Sequence, residues 1–504
     1  MSPRPVRSML LAALLALSAG CGAKEVTASL HLVTASCAGI PPLEGVTHLR
    51  FRVSGPGMDA PRERVSTVRW TAEDVPAIPP GSARVLEVRA YAGAPDRGGQ
   101  LRSLGRTPPF DVAEGQATSV RVFLRRLGEF APANQAVSPD TCAVPREARA
   151  GHTATLLQDG RVLLAGGYAP ERDGARLVSG TTEVFDPREG MFSPGPDVGA
   201  RAFHTASLLP DGKVLLVGGA EALDLLSMQR TARVVDVAAG EATALAPKFA
   251  RYQHAAAVDA EGHVLLAGGR AADGSGVFAL EGFDASSGRF FDGMGELRRV
   301  DATLAVLEGG RTILVAGGSD EVRPEADVLS SVFDGDTFVW LLPVPPRLQV
   351  PRVGASVAML GRAEDGPLPL LIGGFDGVDP VKGARAVGSS EVLESALRVS
   401  AGPALLPRSH ACAVSLPDGR VVVLGGQGTE SGTPRATAWA ELIIPAKDAQ
   451  PSVLGLPLLP QPRAGLSCTA LADGSVLVVG GVDDTSGEPR APIEALVLMP
   501  PPRD

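Results

Sequence analysis

The sequence predicts an all-β protein in which a small β-sandwich precedes a seven-bladed β-propeller. A Gly-Gly doublet recurs seven times at intervals of 49 to 56 residues, and such a period is typical of radial arrays of small sheets. The 60 glycines, 43 prolines and 4% aromatic residues suit short strands joined by turns. The doublets are Gly166-Gly167, Gly218-Gly219, Gly268-Gly269, Gly317-Gly318, Gly373-Gly374, Gly425-Gly426 and Gly480-Gly481.

Residues 1–21 are predicted to be an export signal, because two arginines precede the short apolar run Met9–Leu17. The sequence Leu17-Ser18-Ala19-Gly20-Cys21 resembles the bacterial lipobox, although Ser18 stands where that motif usually has leucine. The resemblance implies a lipid on Cys21, which would tether the chain to a membrane. Gly22 replaces the aspartate of inner-membrane retention and favours the outer membrane or cell surface. Ordinary signal cleavage is the alternative.

Residues 22–127 contain short alternating segments separated by turns that contain proline and glycine, which predicts an antiparallel β-sandwich. The Pro80-Gly81 turn and the Asp111–Gly115 stretch before the last segment are similar to bacterial immunoglobulin-like or transthyretin-like modules. Such modules most often serve as spacers or adhesive domains.

Four cysteines remain besides Cys21, and they allow three pairings. Cys37 and Cys142 flank the first domain, whereas Cys412 and Cys468 occupy similar places in adjacent repeats. Buried free thiols are the alternative for both pairs. The spacing does not choose among these possibilities, and it contains no metal-ligand motif.

One repeat shows the predicted order of strands within residues 128–504. A strand begins at Arg201 and ends before the tight turn Pro210–Lys213, where Asp-Gly favours a hairpin. The fully apolar segment Val214–Val217 predicts a strand buried on both faces. The Gly-Gly doublet that follows is predicted to need positive φ or a close backbone approach. A third strand and a weaker fourth strand complete the unit.

These repeats resemble the bacterial kelch family, in particular the central propeller of galactose-oxidase-like proteins. The resemblance rests on the Arg-x-x-His-Thr-Ala start, the Asp-Gly hairpin, the apolar strand before Gly-Gly and a Glu-x-Phe-Asp third strand. The tyrosine and tryptophan that follow the doublet in animal kelch repeats are absent. Gly128–Pro132 is similar to Gly190–Pro194 at a fourth-strand position. We therefore expect the N-terminal segment to complete the last blade and close the ring.

An arginine opens every repeat, and the seven would lie near one mouth of the channel. Together they would attract an anionic ligand, but we favour a structural role in which each pairs with third-strand carboxylates or backbone carbonyls. The seven are Arg149, Arg201, Arg251, Arg299, Arg352, Arg408 and Arg463.

Four histidines follow the arginines, namely His152, His204, His254 and His410. Repeat symmetry spaces such positions around a ring, so we expect hydrogen-bonded structural histidines, with no metal and no cofactor. The galactose-oxidase resemblance implies copper held by two tyrosines and two histidines, with a cysteine cross-linked to one tyrosine. Only Tyr91, Tyr168 and Tyr252 are present, and no copper ligand can be carried over to this chain.

We therefore expect a non-catalytic envelope lipoprotein that binds a protein or glycan through the variable loops after the doublets. The alternatives are a carbohydrate-active or oxidase-like enzyme with a site at the channel mouth, or a purely structural envelope protein. A net charge of −9 disfavours nucleic acid as a partner. Acidic loops such as Ser319–Glu321 are predicted to be solvated turns, with calcium binding as the alternative.

Overall fold

The computed structural model describes residues 28–503 except 116–117, 171–175, 223–229, 308, 342–343, 362–365, 396–397, 430–431, 447–449 and 486–491. The predicted signal, residues 1–21, and Cys21 therefore lie outside the described residues. The described chain is almost entirely strand and turn, and its 3-10 helices are Ala72–Asp74, Pro95–Arg97 and Pro380–Lys382. No helix among the described residues is long and apolar enough to span a membrane. The predicted all-β fold class is confirmed.

The N-terminal sheets form because their strands alternate buried and accessible residues, as in β2, where Leu49, Phe51 and Val53 are fully buried. β1 pairs in parallel with β7, and the second sheet has the order β3-β2-β4-β5-β8, with β6 beside β4. The strands are β1 (Ala28–Val33), β2 (His48–Ser54), β3 (Arg62–Thr67), β4 (Gly81–Ala92), β5 (Gln100–Arg106), β6 (Phe110–Val112), β7 (Thr118–Phe123) and β8 (Arg125–Arg126).

Seven four-stranded antiparallel sheets, called blades 1 to 7, follow in the described part of the chain. The first strand of each blade contacts the first strands of both neighbours, which closes a ring around a central channel. Blade 7 takes its outermost strand, β9 (Phe130–Pro132), from the N-terminal side of the propeller.

Blades 1 to 3 each have four strands in order from the channel outward. Blade 1 consists of β10 (Thr153–Leu156), β11 (Val162–Ala165), β14 (Thr182–Asp186) and β15 (Met191–Pro194). Blade 2 consists of β16 (Thr205–Leu208), β17 (Val214–Val217), β18 (Ala232–Asp236) and β19 (Glu241–Leu245). Blade 3 consists of β20 (Ala255–Val258), β21 (His263–Ala267), β22 (Ala279–Asp284) and β23 (Arg289–Glu296).

Blades 4 to 7 follow the same order. Blade 4 consists of β24 (Thr303–Val306), β25 (Ile313–Ala316), β26 (Val328–Phe333) and β27 (Phe338–Trp340), and blade 5 of β28 (Ser356–Leu360), β29 (Leu368–Ile372), β30 (Ser390–Ser395) and β31 (Arg398–Ala401). Blade 6 consists of β32 (Cys412–Ser415), β33 (Val421–Leu424), β36 (Ala440–Ile444) and β37 (Ser452–Gly455). Blade 7 consists of β38 (Ala464–Ala470), β39 (Val476–Val482), β40 (Ala495–Leu498) and β9.

Two short hairpins project from loops after the doublets of blades 1 and 6. They pair β12 (Tyr168–Pro170) with β13 (Arg176–Val178), and β34 (Gln427–Gly428) with β35 (Arg435–Ala436).

The second strands supply the cores between blades. All residues of Val214–Val217 are buried, as their apolar sequence predicts. Leu215 and Val217 pack toward blade 3, whereas Val214 and Leu216 pack toward blade 1. Burial on both faces therefore joins each sheet to its neighbours.

The doublets form the contact between blades at the mouth end of each second strand. In blade 1, Gly166 and Gly167 have φ of 58° and 96°, which confirms the predicted positive φ. The N–H of Gly167 donates to the carbonyl of Arg201 in blade 2 at 2.8 Å. A Cβ on Gly166 would collide with the same carbonyl. The doublet thus lets the next blade's main chain approach, and Gly481 makes the equivalent bond to Arg149 at 2.8 Å, closing the ring.

The predicted closure by the N-terminal segment is confirmed, since Ala131 pairs with Val497 in the register of β9 and β40. Two disulfides join Cys37 to Cys142 and Cys412 to Cys468. The first bond ties the sandwich to the propeller, and the second crosses between the inner strands of blades 6 and 7.

Candidate functional site at the channel mouth

A ring of seven residues, each two positions after its blade's arginine, surrounds one mouth of the channel. All seven have φ between 48° and 67°, in the left-handed region. Backbone bonds link neighbours around the ring, for example from Phe203 N–H to the carbonyl of Gly151 at 2.8 Å and from Gln253 N–H to Phe203 at 2.9 Å. These mouth residues are Gly151, Phe203, Gln253, Asp301, Gly354, His410 and Gly465.

Four mouth residues retain a side chain in a conformation that suits glycine. The left-handed region costs an ordinary residue roughly 1–2 kcal/mol. Gln253 and His410 are exposed, while Phe203 and Asp301 are half-buried. Residues with strained backbone conformations are typical of functional sites. Because these side chains are accessible, packing does not explain why the chain keeps them.

Neighbouring groups hold these side chains in place. The ring of Phe203 lies over Gly151 and 5.5 Å from the ring of Tyr168. The ring of His410 lies over Gly354, where a Cβ would collide with it. Asp301 accepts a bond from Nη2 of Arg270 at 3.1 Å. The mouth therefore presents an aromatic pair, an imidazole, an amide and a carboxylate to one space.

A layer of side-chain bonds next to the mouth joins consecutive inner strands. His152 Nε2 lies 2.8 Å from Ser467 Oγ, His204 Nε2 lies 2.9 Å from Thr153 Oγ1, and His254 Nε2 lies 2.8 Å from Thr205 Oγ1. The Nδ1 atoms of the three histidines have no hydrogen-bond partner among the described residues. The prediction of hydrogen-bonded structural histidines is confirmed for these three.

Their surroundings keep these histidines neutral. Burial, and then the charge of Arg149, lowers the pKa of His152 to about 3. Burial, followed by Arg201 and His152, holds the pKa of His204 well below its usual range. The pKa of His254 is low for the corresponding reasons. These groups hold blades together and do not titrate near neutral pH in the folded protein.

The seven predicted arginines lie behind the mouth and not in it, since each is 5% exposed or less. Arg352 is representative, because Nη1 donates to the carbonyl of Gly373 at 2.9 Å and Nη2 lies 2.6 Å from Oε1 of Glu391. Close carboxylate pairs also form for Arg149, Arg408 and Arg463. The ion pairs of Arg251 with Glu281 and of Arg299 with Glu325 are longer, at 3.6 Å and 4.0 Å. The guanidinium groups therefore face their own blades and are inaccessible to an anionic ligand at the surface.

Arg201 differs from the other six. Arg233 stands on the third strand of blade 2 where blades 1 and 3 have glutamate. Arg201 donates mainly to carbonyls, including Val198 at 2.6 Å. Burial and then the charge of Arg233 lower the pKa of Arg201 to about 10.

A cleft of about 880 Å³ opens beside the mouth between the loops that follow the doublets of blades 3, 4 and 5. Its charged lining residues are Arg270, Glu321, Asp376, Asp379 and Lys382. The ion pair between Arg270 and Asp301 connects this cleft to the mouth. Val322, which also lines the cleft, is 77% exposed. The cleft walls are polar and of mixed charge, with apolar points at the edge.

Sequence reasoning named His410 only as a structural histidine and overlooked the other mouth residues, although a signal was present. Glycine occupies the second position after the arginine in three repeats, at Gly151, Gly354 and Gly465. Glycine at a repeated position indicates positive φ. The same position holds Phe203 and His410 in two other repeats, where positive φ costs conformational free energy because the residue is not glycine.

The comparisons with known proteins concern the fold. No family model matches the chain, and no curated protein matches it in sequence. A fungal alcohol oxidase of the AA5 family, solved in complex with copper, is similar in structure with a TM-score of 0.55 and 18% identity over 75% of this chain and 76% of that chain. YjhT has a TM-score of 0.44 and 13% identity over 62% of this chain and 99% of that chain. The likeness to the alcohol oxidase supports a β-propeller fold for this chain.

The described residues do not fit the copper centre that this resemblance implies. Tyr91 lies in the sandwich, Tyr252 is 5% exposed, and the four described cysteines are all in disulfides, so none of these four is available for a cross-link to tyrosine. Among the residues described, one group of three potential metal ligands is close enough to share an ion, and it comprises Asp259, Glu261 and His263 in a hairpin. That hairpin joins β20 to β21 at the face opposite the mouth.

Proposed function

We propose that the chain is an exported, lipid-anchored binding protein without catalytic activity that recognises a protein or glycan at its channel mouth. The observation that carries the proposal is the set of accessible side chains held at left-handed positions around the mouth, Phe203, Gln253, Asp301 and His410. Their conformational cost has no compensation in packing at Gln253, whose side chain is exposed. A ligand that contacts the side chains supplies a reason for keeping them.

The path of the chain bears on which way the mouth would face relative to a membrane that holds a lipid on Cys21. β1 and β7 are parallel, and β7 leads into the propeller, so Ala28 lies at the end of the sandwich that is remote from it. Arg121 of the sandwich pairs with Glu189 at 2.6 Å, in a turn on the propeller face opposite the mouth. An anchor on Cys21 would therefore leave the mouth facing away from the membrane.

Capture from envelope extracts tests the proposal. The immobilised mature chain is compared with the double variant Gln253→Gly/His410→Gly, which keeps a backbone that suits glycine and removes two mouth side chains. We expect the wild type to retain a defined protein or glycan and the variant to lose it. Retention of the same material by both would overturn the assignment to the mouth.

The enzyme alternative has its own test. Metal analysis of the purified chain, followed by assays of alcohol and sugar oxidation, distinguishes an oxidase from a binding protein. Stoichiometric copper together with turnover would replace the binding proposal. The structural likeness to the AA5 alcohol oxidase concerns the fold and leaves this alternative open to measurement.

A further inference from the structure

The charge of the chain is unevenly divided between its two domains. Residues 128–504, the propeller, contain 31 lysines and arginines against 46 aspartates and glutamates, which gives a net charge of −15. Residues 22–127, the sandwich, contain 14 basic and 10 acidic residues and have a net charge of +4. The propeller therefore attracts cationic partners and repels anionic ones.

Both cations that line the cleft beside the mouth are already paired within the chain. Nη2 of Arg270 lies 3.1 Å from Asp301, and its Nη1 lies 3.8 Å from Glu321. Nζ of Lys382 lies 3.2 Å from Oδ2 of Asp379. Because these cations meet three carboxylates, the paired groups leave no excess of positive charge in the cleft.

Asp376 is a cleft carboxylate that lacks a cation. Its Oδ1 accepts the N–H of Arg385 at 2.6 Å, which holds the carboxylate at the cleft wall. The residue is exposed, and it forms no ion pair within the part of the chain that the structure describes. A cationic group of a partner can therefore reach this carboxylate without breaking an existing pair.

Apolar contacts accompany these charges in both the mouth and the cleft. In the mouth, the half-buried rings of Phe203 and Tyr168 have centroids 5.5 Å apart. In the cleft, Val322 is 77% exposed. Oδ1 of Asp320 accepts the N–H groups of Val322 and Arg323 at 2.9 Å and 2.6 Å. These bonds fix the backbone of the turn whose aliphatic side chain is accessible.

The mouth and the cleft form one continuous arc. Phe203, Gln253 and Asp301 are the mouth residues of the consecutive blades 2, 3 and 4, and the cleft lies between the loops of blades 3, 4 and 5. The loops of blades 3 and 4 are joined, since Oε1 of Glu321 accepts the N–H of Gly276 at 2.9 Å. A ligand that follows the arc meets an aromatic pair, an amide and an unpaired carboxylate in turn.

We propose that the mouth and the cleft together bind an extended, basic segment of a polypeptide, an inference that rests on the recognition function proposed above. A lysine or arginine of the segment pairs with Asp376, and an apolar side chain packs on Phe203 and Tyr168. The side-chain amide of Gln253 bonds the backbone of the segment, because an amide both donates and accepts hydrogen bonds. The cleft volume of about 880 Å³ lies within the range of ligand sites.

The same groups disfavour a glycan. A neutral glycan leaves the charge of Asp376 unmatched and has no aliphatic side chain to cover Val322. An acidic glycan is repelled by the net charge of −15 on the propeller. A polypeptide combines apolar, hydrogen-bonding and cationic groups in one chain, which matches the groups along the arc.

Selection of a random-peptide library on the immobilised mature chain tests the proposal. We expect the selected peptides to be enriched in lysine or arginine and to contain an apolar residue. A synthetic copy of a selected peptide should lose about threefold to fivefold in affinity for Asp376→Asn, as one accessible ion pair predicts. Phe203→Gly, which suits the left-handed backbone, should lose about tenfold or more. The control Asp336→Asn removes an exposed carboxylate in a turn on the face opposite the mouth and should leave binding unchanged.

A double-mutant cycle identifies the ion pair directly. Replacing the basic residue of the peptide by alanine should weaken binding to the wild type and have little further effect on Asp376→Asn. Because Asp376 is exposed and asparagine still accepts the N–H of Arg385, this variant should fold even if Phe203→Gly does not. Selection of no peptide, selection without enrichment of basic residues, or equal binding by Asp376→Asn would overturn the proposal.

Capture from envelope extracts separates this proposal from the recognition function on which it rests. If the wild type retains a glycan that the Gln253→Gly/His410→Gly variant loses, the mouth is a recognition site and its ligand is not a basic polypeptide. If the wild type and that variant retain the same material, the assignment of recognition to the mouth is itself wrong.

Discussion

Acid should weaken the propeller through the inter-blade histidines, and His152 allows the effect to be worked out. Its folded pKa is about 3, below the ordinary value of 6.5. The unfolded chain therefore binds a proton that the folded chain refuses between these values, and stability falls as pH falls through 6.5 toward 3. At pH 5, about 1.5 units below the pKa of the unfolded histidine, this difference in proton binding should lower the free energy of unfolding by about 2 kcal/mol. His204 and His254 act in the same direction.

The assay is urea unfolding at about pH 7.5 and about pH 5, followed by tryptophan fluorescence, since Trp340 and Trp439 lie in the propeller. His152→Gln should lose less stability between the two pH values than the wild type, by about 2 kcal/mol. His31→Gln alters an exposed histidine of the sandwich and should leave the pH dependence unchanged. If the His152→Gln variant and the wild type respond to pH equally, the buried neutral histidine is not the cause.

Three further predictions concern closure, buried pairs and anchoring. Ala131→Pro removes a backbone donor between β9 and β40 and should lower the free energy of unfolding by about 3 kcal/mol. The control Ala131→Thr should be tolerated. An unchanged urea midpoint for the proline variant would contradict the closure of the ring by β9. Arg352→Leu leaves Glu391 buried without its cation and should cost about 3 kcal/mol. By contrast, Arg347→Leu, at an exposed pair, should cost less than about 1 kcal/mol in the same denaturation assay, and equal losses would count against the buried pair. Cys21→Ala should release the protein from membranes on fractionation, and continued membrane association would show that the lipid tether is wrong.

The sequence predicted the features that repeat, because repetition itself carries the information. The doublets indicated positive φ, and the structure explains the need, since Gly166 faces the carbonyl of Arg201. The similarity of Gly128–Pro132 to Gly190–Pro194 predicted that β9 completes blade 7. Each of these inferences used a local rule that several repeats obey.

Features that depend on the surroundings of a single blade could not be predicted from the sequence. The pairing of Cys412 with Cys468 needs the distance across a seam, which spacing does not give. The ion pair of Arg251 with Glu281 is 3.6 Å long and its counterpart in blade 5 is 2.6 Å, although both blades have glutamate in the sequence. Seams with the same residues thus differ in packing.

The central claim is that the mouth side chains serve recognition and are not required for folding. The most direct measurement is the free energy of unfolding of Gln253→Gly/His410→Gly against the wild type. We predict a value equal to that of the wild type or higher by about 1 kcal/mol, because glycine relieves the left-handed backbone at φ of 52° and 48°. A loss of stability of more than about 1 kcal/mol would show that these side chains hold the ring together, and would contradict the claim.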